Sequence, residues 1–288
     1  MRSTGLPARS TDLSEWLTGA YASLPRRTTV EVDGRLSSVR SWGDPEAPTV
    51  LLVHGNQAHA GWWDHLGPRL VTGRHVVAFD LFGHGDSAWL PSYSWDAWAE
   101  QVKSIAASYG AKRVVGHSLG GSLALTAAAR FGAPFERLVL LDTPLRGTRR
   151  TARAPASLAP PRPGPYPLLE RARERFRLVP PSPRDPHPLI LEHLFRESVH
   201  RVEGGWGWKR DPVVLARQGE APGLRELVDA PGEVVLVRSG LGLVRDDVME
   251  LVRDAGGELF AEVVVEDAGH HVILDSPRRV LSVLLDVL

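Results

Sequence analysis

The sequence predicts an α/β protein with a mostly parallel central sheet, helices on both faces and one inserted lid. Three observations predict it. Short apolar runs without alternation recur between helical stretches, as expected of strands buried on both faces. A strand runs straight into a glycine-rich turn and an Ala/Leu-rich helix at Val114-Val115-Gly116-His117-Ser118-Leu119-Gly120-Gly121. Between two such runs lies a stretch with eleven prolines in the 34 residues from Pro155 to Pro188. Proline lacks the amide donor and fixes φ, so that stretch cannot continue a sheet.

In order, Thr28–Val32 and Leu36–Arg40 flank Asp33-Gly34, the signal of a tight hairpin. Thr49–Val53 and His75–Phe79 read as buried strands, with a helix expected over Ala58–Val71 between them. Asp64 and His65 fall inside that helix, on an expected solvated face. Asp80–Ser87 is a polar, glycine-rich loop, and Ser94–Tyr109 a helix with Ser94 as N-cap. Arg113–Val115 and Arg137–Leu141 are further strands, the second ending in Asp142-Thr143-Pro144. Residues 145–230 read as the insertion, irregular at its start and with helix-like spacing over Leu189–Arg217. The sheet resumes at Glu233–Val237, followed by a helix over Asp246–Ala255, the strand Ala261–Val265, and a last helix opened by Ser276-Pro277. The expected organisation is a core of residues 1–144 and 231–288, interrupted by a cap of 145–230.

Composition narrows the function. Lys+Arg and Asp+Glu are 34 each in 288 residues, so no net field favours nucleic acid or an anionic membrane. Cysteine is absent, which excludes disulfides, thiolate metal sites and a cysteine nucleophile. His187, His193 and His200, with Glu192 and Glu197, lack a metal-ligand spacing, and neither metal nor cofactor is expected. The first 27 residues hold no apolar core of signal-peptide type, and no apolar run reaches the ~18 residues of a membrane span. A cytoplasmic enzyme is therefore expected, and the abundance of Arg, Ala, Pro and Gly over Lys is that of a GC-rich bacterial genome.

In a parallel sheet, ligands bind beyond the carboxyl ends of the strands. The residues brought there are Gly55-Asn56, Asp80, Ser118, Asp142, the Ser239–Gly242 turn and His270. Gly116-His117-Ser118-Leu119-Gly120 fits a nucleophile elbow, a strained turn that lifts the serine hydroxyl clear of the sheet. Serine is a weak nucleophile at neutral pH and needs a base that is itself oriented. His270, directly after Gly269, is the candidate base, with His271 its competitor. His54 and His117 sit beside turns and are expected to brace loops.

Together His54-Gly55, Asp80-x-x-Gly83-His84-Gly85-x-Ser87, Gly116-His117-Ser118-Leu119-Gly120 and Gly269-His270 resemble the α/β-hydrolase superfamily over residues 28–144 and 231–288. Leu140–Leu145 adds a resemblance to its serine hydrolase-like subgroup. The resemblance implies an α/β-hydrolase fold, a Ser-Asp-His triad and an inserted lid, but not a substrate. With Ser118 as nucleophile, the expected reaction is hydrolysis of a small-molecule acyl substrate through an acyl-enzyme, a carboxylic ester first, with thioesters, amides and lactones open. The resemblance also implies an oxyanion hole from the backbone N–H groups of Asn56 and Leu119, and a bracing role for Asp80. In most members the acid follows the strand that is here Glu233–Val237, but Arg238–Val244 contains no carboxylate. Asp142 can take that place, as in some members; Asp246 or Asp247 is the alternative, and a Ser-His dyad the third. Trp62 and Trp63, and Trp206 and Trp208 of the insertion, are candidate pocket residues or core. A non-hydrolytic enzyme on the same fold (acyltransferase, lyase or cyclase) and a binding module are the rival functions.

Overall fold

The computed structural model describes residues 12–145, 164–216 and 220–288. The elements before the insertion are α1 (Leu13–Ala22), β1 (Arg26–Val32), β2 (Arg35–Gly43), β3 (Thr49–Val53), β4 (His75–Phe79), α2 (Trp95–Ser108), β5 (Arg113–His117), α3 (Leu119–Phe131) and β6 (Arg137–Leu141). The insertion carries α4 (Leu169–Arg173), α5 (Pro188–Glu197), the hairpin β7 (Val199–Val202) and β8 (Gly205–Trp208), and α6 (Leu224–Val228). The chain closes with β9 (Glu233–Leu241), α7 (Met249–Gly256), β10 (Phe260–Gly269), α8 (Val272–Asp275) and α9 (Pro277–Val287).

Eight strands form one sheet in the order β1-β2-β4-β3-β5-β6-β9-β10. β2 is antiparallel to β1 and β4, and the six strands from β4 to β10 are parallel. The β1–β2 turn is made by Asp33 and Gly34, both at positive φ, as the sequence requires of a tight hairpin. Alternate side chains of the central strands enter opposite cores. Leu51, Val53 and Val114 pack under α2 and α3, whereas Val50, Leu52 and Val115 pack against α1 and α9. β3 leads to β4 on one side and stands beside β5 on the other. Strand order therefore reverses between β3 and β5, which opens a crevice at their carboxyl ends.

Three expectations are corrected. Ala58–Val71 is not a helix but two 3₁₀ turns, Ala60–Trp63 and Gly67–Arg69. Gly67 lies against the Trp42 ring, where a Cβ would come within 2.7 Å, and Pro68 follows it. Helix-like spacing over Leu189–Arg217 holds only through Glu197. Beyond it the chain turns back as a hairpin, because Gly204 and Gly205 take positive φ between β7 and β8. The proline-rich start lies outside the described residues up to 163; the part after it joins the hairpin through a Tyr166–Trp206 bridge and adds no strand to the main sheet.

The third correction concerns Asp64 and His65, which are buried rather than solvated. His65 donates to the Ile273 carbonyl at 2.8 Å. Asp64 is 2.5 Å from the Arg40 guanidinium and accepts from His193 Nε2 at 2.8 Å. Arg40 also pairs with Glu197. Burial alone would raise the Glu197 carboxyl, but Arg40 and Arg27 more than offset this and lower it to about 2. This network joins β2 and the first 3₁₀ turn of the core to α5 of the insertion. Amphipathic spacing could not reveal it, because the buried charges are paired across 157 positions of sequence.

Removing one partner of a buried pair leaves a desolvated charge behind. Asp64→Ala is therefore expected to lower unfolding stability by about 3–5 kcal/mol, read from the urea midpoint, whereas a solvated aspartate would cost under ~0.5 kcal/mol.

Candidate active site

The site is built where β3, β5, β6, β9 and β10 end. β5 stops at His117, and Ser118 turns the chain into α3 at φ 52° and ψ −113°. Positive φ in a non-glycine residue costs of order 1–3 kcal/mol and persists only where the surroundings hold it. Here Ser118 N–H donates to the Leu141 carbonyl, tying the turn to β6. The flanking glycines are needed for room. A Cβ on Gly116 would lie 2.3 Å from the Gly121 nitrogen, and one on Gly120 2.3 Å from the Val53 carbonyl oxygen. Among the described residues, three of the four non-glycine positions at positive φ, Gln57, Ser118 and Asp142, stand in this crevice.

Asp142 follows β6 and is fully buried. Its Oδ2 lies 2.7 Å from His270 Nδ1 and accepts the Leu243 N–H at 2.9 Å. Its Oδ1 accepts the Ser239 N–H at 3.3 Å. Gly242 completes the enclosure, since a Cβ there would fall 2.2 Å from Oδ1. The turn after β9 that lacks a carboxylate of its own thus encloses the carboxylate of the neighbouring strand. Asp246 is exposed and pairs with Arg238 at 2.5 Å, and Asp247 pairs with Arg245; neither bonds His270.

His270 is buried at the end of β10, and its Nδ1–H donates to Asp142, which leaves Nε2 for the crevice. Among the described residues Ser118 Oγ has no hydrogen-bond partner. In unliganded enzymes such contacts are often open and tighten on substrate binding. The backbone N–H groups of Asn56 and Leu119 donate to no acceptor among the described residues either. Two amide donors are therefore free beside the serine, one at the N-terminus of α3, where negative charge is stabilised.

Three further histidines brace this frame. His54 accepts the Leu81 N–H at Nε2, so its proton sits on Nδ1 and is donated to the Gly55 carbonyl. His271 donates to the Pro180 carbonyl of the insertion. His117 donates to the His270 carbonyl at 2.7 Å. Burial depresses all three, with His271 lowered to about 4 and His117 well below its usual value. His59 and His65 are depressed by burial as well, His65 to about 4. Asp80 accepts from the Ala60 and Asp86 N–H groups and sits where a Cβ on Gly85 would be, so it shapes a loop and does not face the serine.

A pocket of about 610 Å³, its open mouth included, lies between the core loops and the insertion. Its wall runs from Asn56 and Trp62 past His271 to Phe176, Leu178 and Trp208, and stops short of Ser118. Of the four candidate tryptophans, Trp62 and Trp208 line it. Trp63 does not; it is fully enclosed in the core with Leu66 and Leu70. Trp206 also lies outside the wall, bridged to Tyr166 and covered by the Arg201 guanidinium 4.3 Å from its ring. Phe176, Leu178 and His59 escaped the sequence reading. Of these, only His59 carried a signal, its place in the loop after β3.

The model of the alpha/beta hydrolase family matches residues 50–283, and the chain belongs to that family. Esterase Rv0045c of Mycobacterium tuberculosis is 32% identical over 287 residues, covering 94% of this chain and 91% of its own. Lipase LipV of the same organism is 30% identical over 260 residues, covering 85% and 95%. A serine hydrolase-like protein of Danio rerio is 26% identical over 274 residues, covering 86% and 83%. The crystal structure of esterase Rv0045c superposes with a TM-score of 0.76 at 26% identity, covering 99% of each chain. The thioesterase domain from the curacin biosynthetic pathway, at 23% identity and a TM-score of 0.75, is alike in fold, covering 91% of this chain and 99% of its own. Among the described residues no helix is long and apolar enough to cross a membrane.

A histidine depressed by burial is neutral when folded and protonates more readily when unfolded. The stability it contributes is present above pH 6.5 and is lost as the pH falls from 6.5 through the folded value near 4. Each such histidine contributes a slope of up to about 1.4 kcal/mol per pH unit in that window. The thermal midpoint is thus expected to fall between pH 7 and pH 5 in differential scanning fluorimetry; a flat profile would contradict the neutral assignment.

Proposed function

We propose that this protein is a serine esterase that hydrolyses small carboxylic esters through an acyl-enzyme on Ser118. The observation that carries the reading is the buried carboxylate of Asp142 on His270 Nδ1, on the strand beside the serine elbow. Similarity to an esterase and a lipase over most of the chain supports the ester as substrate class.

In this mechanism Ser118 Oγ attacks the ester carbonyl carbon while His270 Nε2 takes its proton. The C=O electron pair moves onto oxygen, and the Asn56 and Leu119 N–H groups donate to the resulting oxyanion. Asp142 keeps His270 in the Nδ1–H tautomer and stabilises the imidazolium. The tetrahedral intermediate collapses, the C–O bond to the alcohol breaks, and His270 returns its proton to the leaving oxygen. Water then repeats the sequence on the acyl-enzyme, with His270 again as base, and releases the acid and Ser118. The inserted segment 145–230 acts as a cap, and its described part supplies the outer pocket wall through Phe176, Leu178 and Trp208. The aromatic and aliphatic wall fits the apolar part of such a substrate.

Ser118→Ala is expected to abolish p-nitrophenyl ester hydrolysis and labelling by a fluorophosphonate. Asp142→Asn, which reverses the tautomer, is expected to lower kcat by about 10⁴. Asp246→Asn and Asp247→Asn serve as controls and are expected to stay within about threefold of the parent, as exposed carboxylates that contact neither substrate nor base. Ester turnover that survives Ser118→Ala would sink the proposal and favour acid/base chemistry without an acyl-enzyme.

A further inference from the structure

We propose that His117 is a positioning residue that clamps the loop carrying the base to the nucleophile elbow. The proposal rests on the reading of Ser118 and His270 as nucleophile and base. It begins from a weakness in the sheet. Ser118 leaves β5, whereas His270 leaves β10, and β6 and β9 stand between them. The position of the base is therefore transmitted through three strand pairings. The last of these is interrupted just before the base. Pairing of β10 with β9 runs in register from Phe260 to Val265, then shifts before Gly269. A bulge bends the strand and leaves residues unpaired. The sheet alone thus holds the backbone of His270 loosely with respect to Ser118.

His117 spans the gap directly. It is the last residue of β5, in register with Leu141, so its backbone is as fixed as the elbow it opens. Its Nε2–H donates to the His270 carbonyl at 2.7 Å, and the two rings lie 4.9 Å apart. The ring has little freedom. It stacks over Trp62 at 6.2 Å and 21°, and His271 closes another side at 5.9 Å. Gly55 lets the opposite ring edge in, since a Cβ there would meet Nδ1 at 2.8 Å. Nδ1 is buried and has no partner among the described residues. A neutral ring whose one proton is on Nε2 fits this arrangement, because a proton on Nδ1 would be left unanswered and the carbonyl unpaired. Burial, reinforced by His270 and His271, holds His117 in that neutral form.

One hydrogen bond of this kind contributes little to net stability, because unfolding exchanges it for bonds to water. A shift of ~1 Å between base and nucleophile costs about 10² in rate. The clamp should therefore be read in kcat rather than in folding.

The test compares His117→Leu, which lacks a donor, with His117→Gln, whose amide can reach the same carbonyl. Both are assayed in the full chain with p-nitrophenyl butyrate and with a fluorophosphonate probe. Circular dichroism and the thermal midpoint report folding. For His117→Leu we expect kcat and the phosphonylation rate to fall together by about 10², with KM within about threefold. For His117→Gln we expect recovery of at least about tenfold. Should the leucine variant not fold, His117→Asn, whose amide is too short to reach, takes its place. The proposal is overturned if a folded donor-less variant keeps kcat within about threefold, or if glutamine gives no recovery. Full turnover in Ser118→Ala would instead overturn the nucleophile assignment itself.

Discussion

A carboxylate without water must have its lone pairs answered by the protein, and the arrangement of this crevice follows from how Asp142 is answered. Three donors converge on it: His270 Nδ1–H, Leu243 N–H and Ser239 N–H. Two of these come from the backbone of the β9 turn, so the turn must curl around the carboxylate and can do so only with glycine at 242. The third fixes the tautomer and direction of His270. One buried charge thereby sets the shape of a loop, the orientation of the proposed base and the packing of β6 against β9.

The serine side is organised by close approach rather than by charge. Gly116 and Gly120 let β5, α3 and the end of β3 come within backbone contact, and this forces Ser118 into positive φ. The same contact brings the Asn56 loop beside the start of α3, so two free amide donors come from segments distant in sequence. The insertion is held from outside this centre. Arg40, Asp64 and Glu197 pair beneath α5, and Tyr93 donates to Asp211 at 2.7 Å on the other side.

Much of this could be read from the chain. The parallel strands were legible because they are apolar without alternation, and the elbow because Gly-x-Ser-x-Gly sits between a β-branched run and an Ala/Leu-rich helix. Asp142 was legible as a candidate through an absence, the lack of a carboxylate between Arg238 and Val244. The enclosure by Gly242 was not, since a glycine records nothing about what fills its vacant Cβ position. The misplacements have one cause. Asp64 and His65 were read from local periodicity, but Gly61, Gly67 and Pro68 break the helix that the periodicity assumed. Their surroundings are then set by Arg40, His193 and Ile273, which no local window contains. Trp206 and Trp208 likewise share one hairpin strand but were given different neighbours by Tyr166 and the pocket.

The siting of the carboxylate on β6 has a consequence for how this chain can change. Ser118 and Asp142 both precede residue 145 and stand on strands whose register is fixed from Arg113↔Arg137 to His117↔Leu141. The β9 turn that encloses Asp142 is tied to β6 by its own ladder from Arg137↔Glu233 to Leu141↔Val237. The described residues between 164 and 230 therefore follow Ser118 and Asp142 in the chain and precede His270. Their lining of the pocket can change at Phe176, Leu178 and Trp208 without touching these ladders, provided that the contacts of Pro180 with His271 and of α5 with Arg40 and Asp64 are kept. A scaffold of this kind separates the evolution of what is admitted from the evolution of what is done to it.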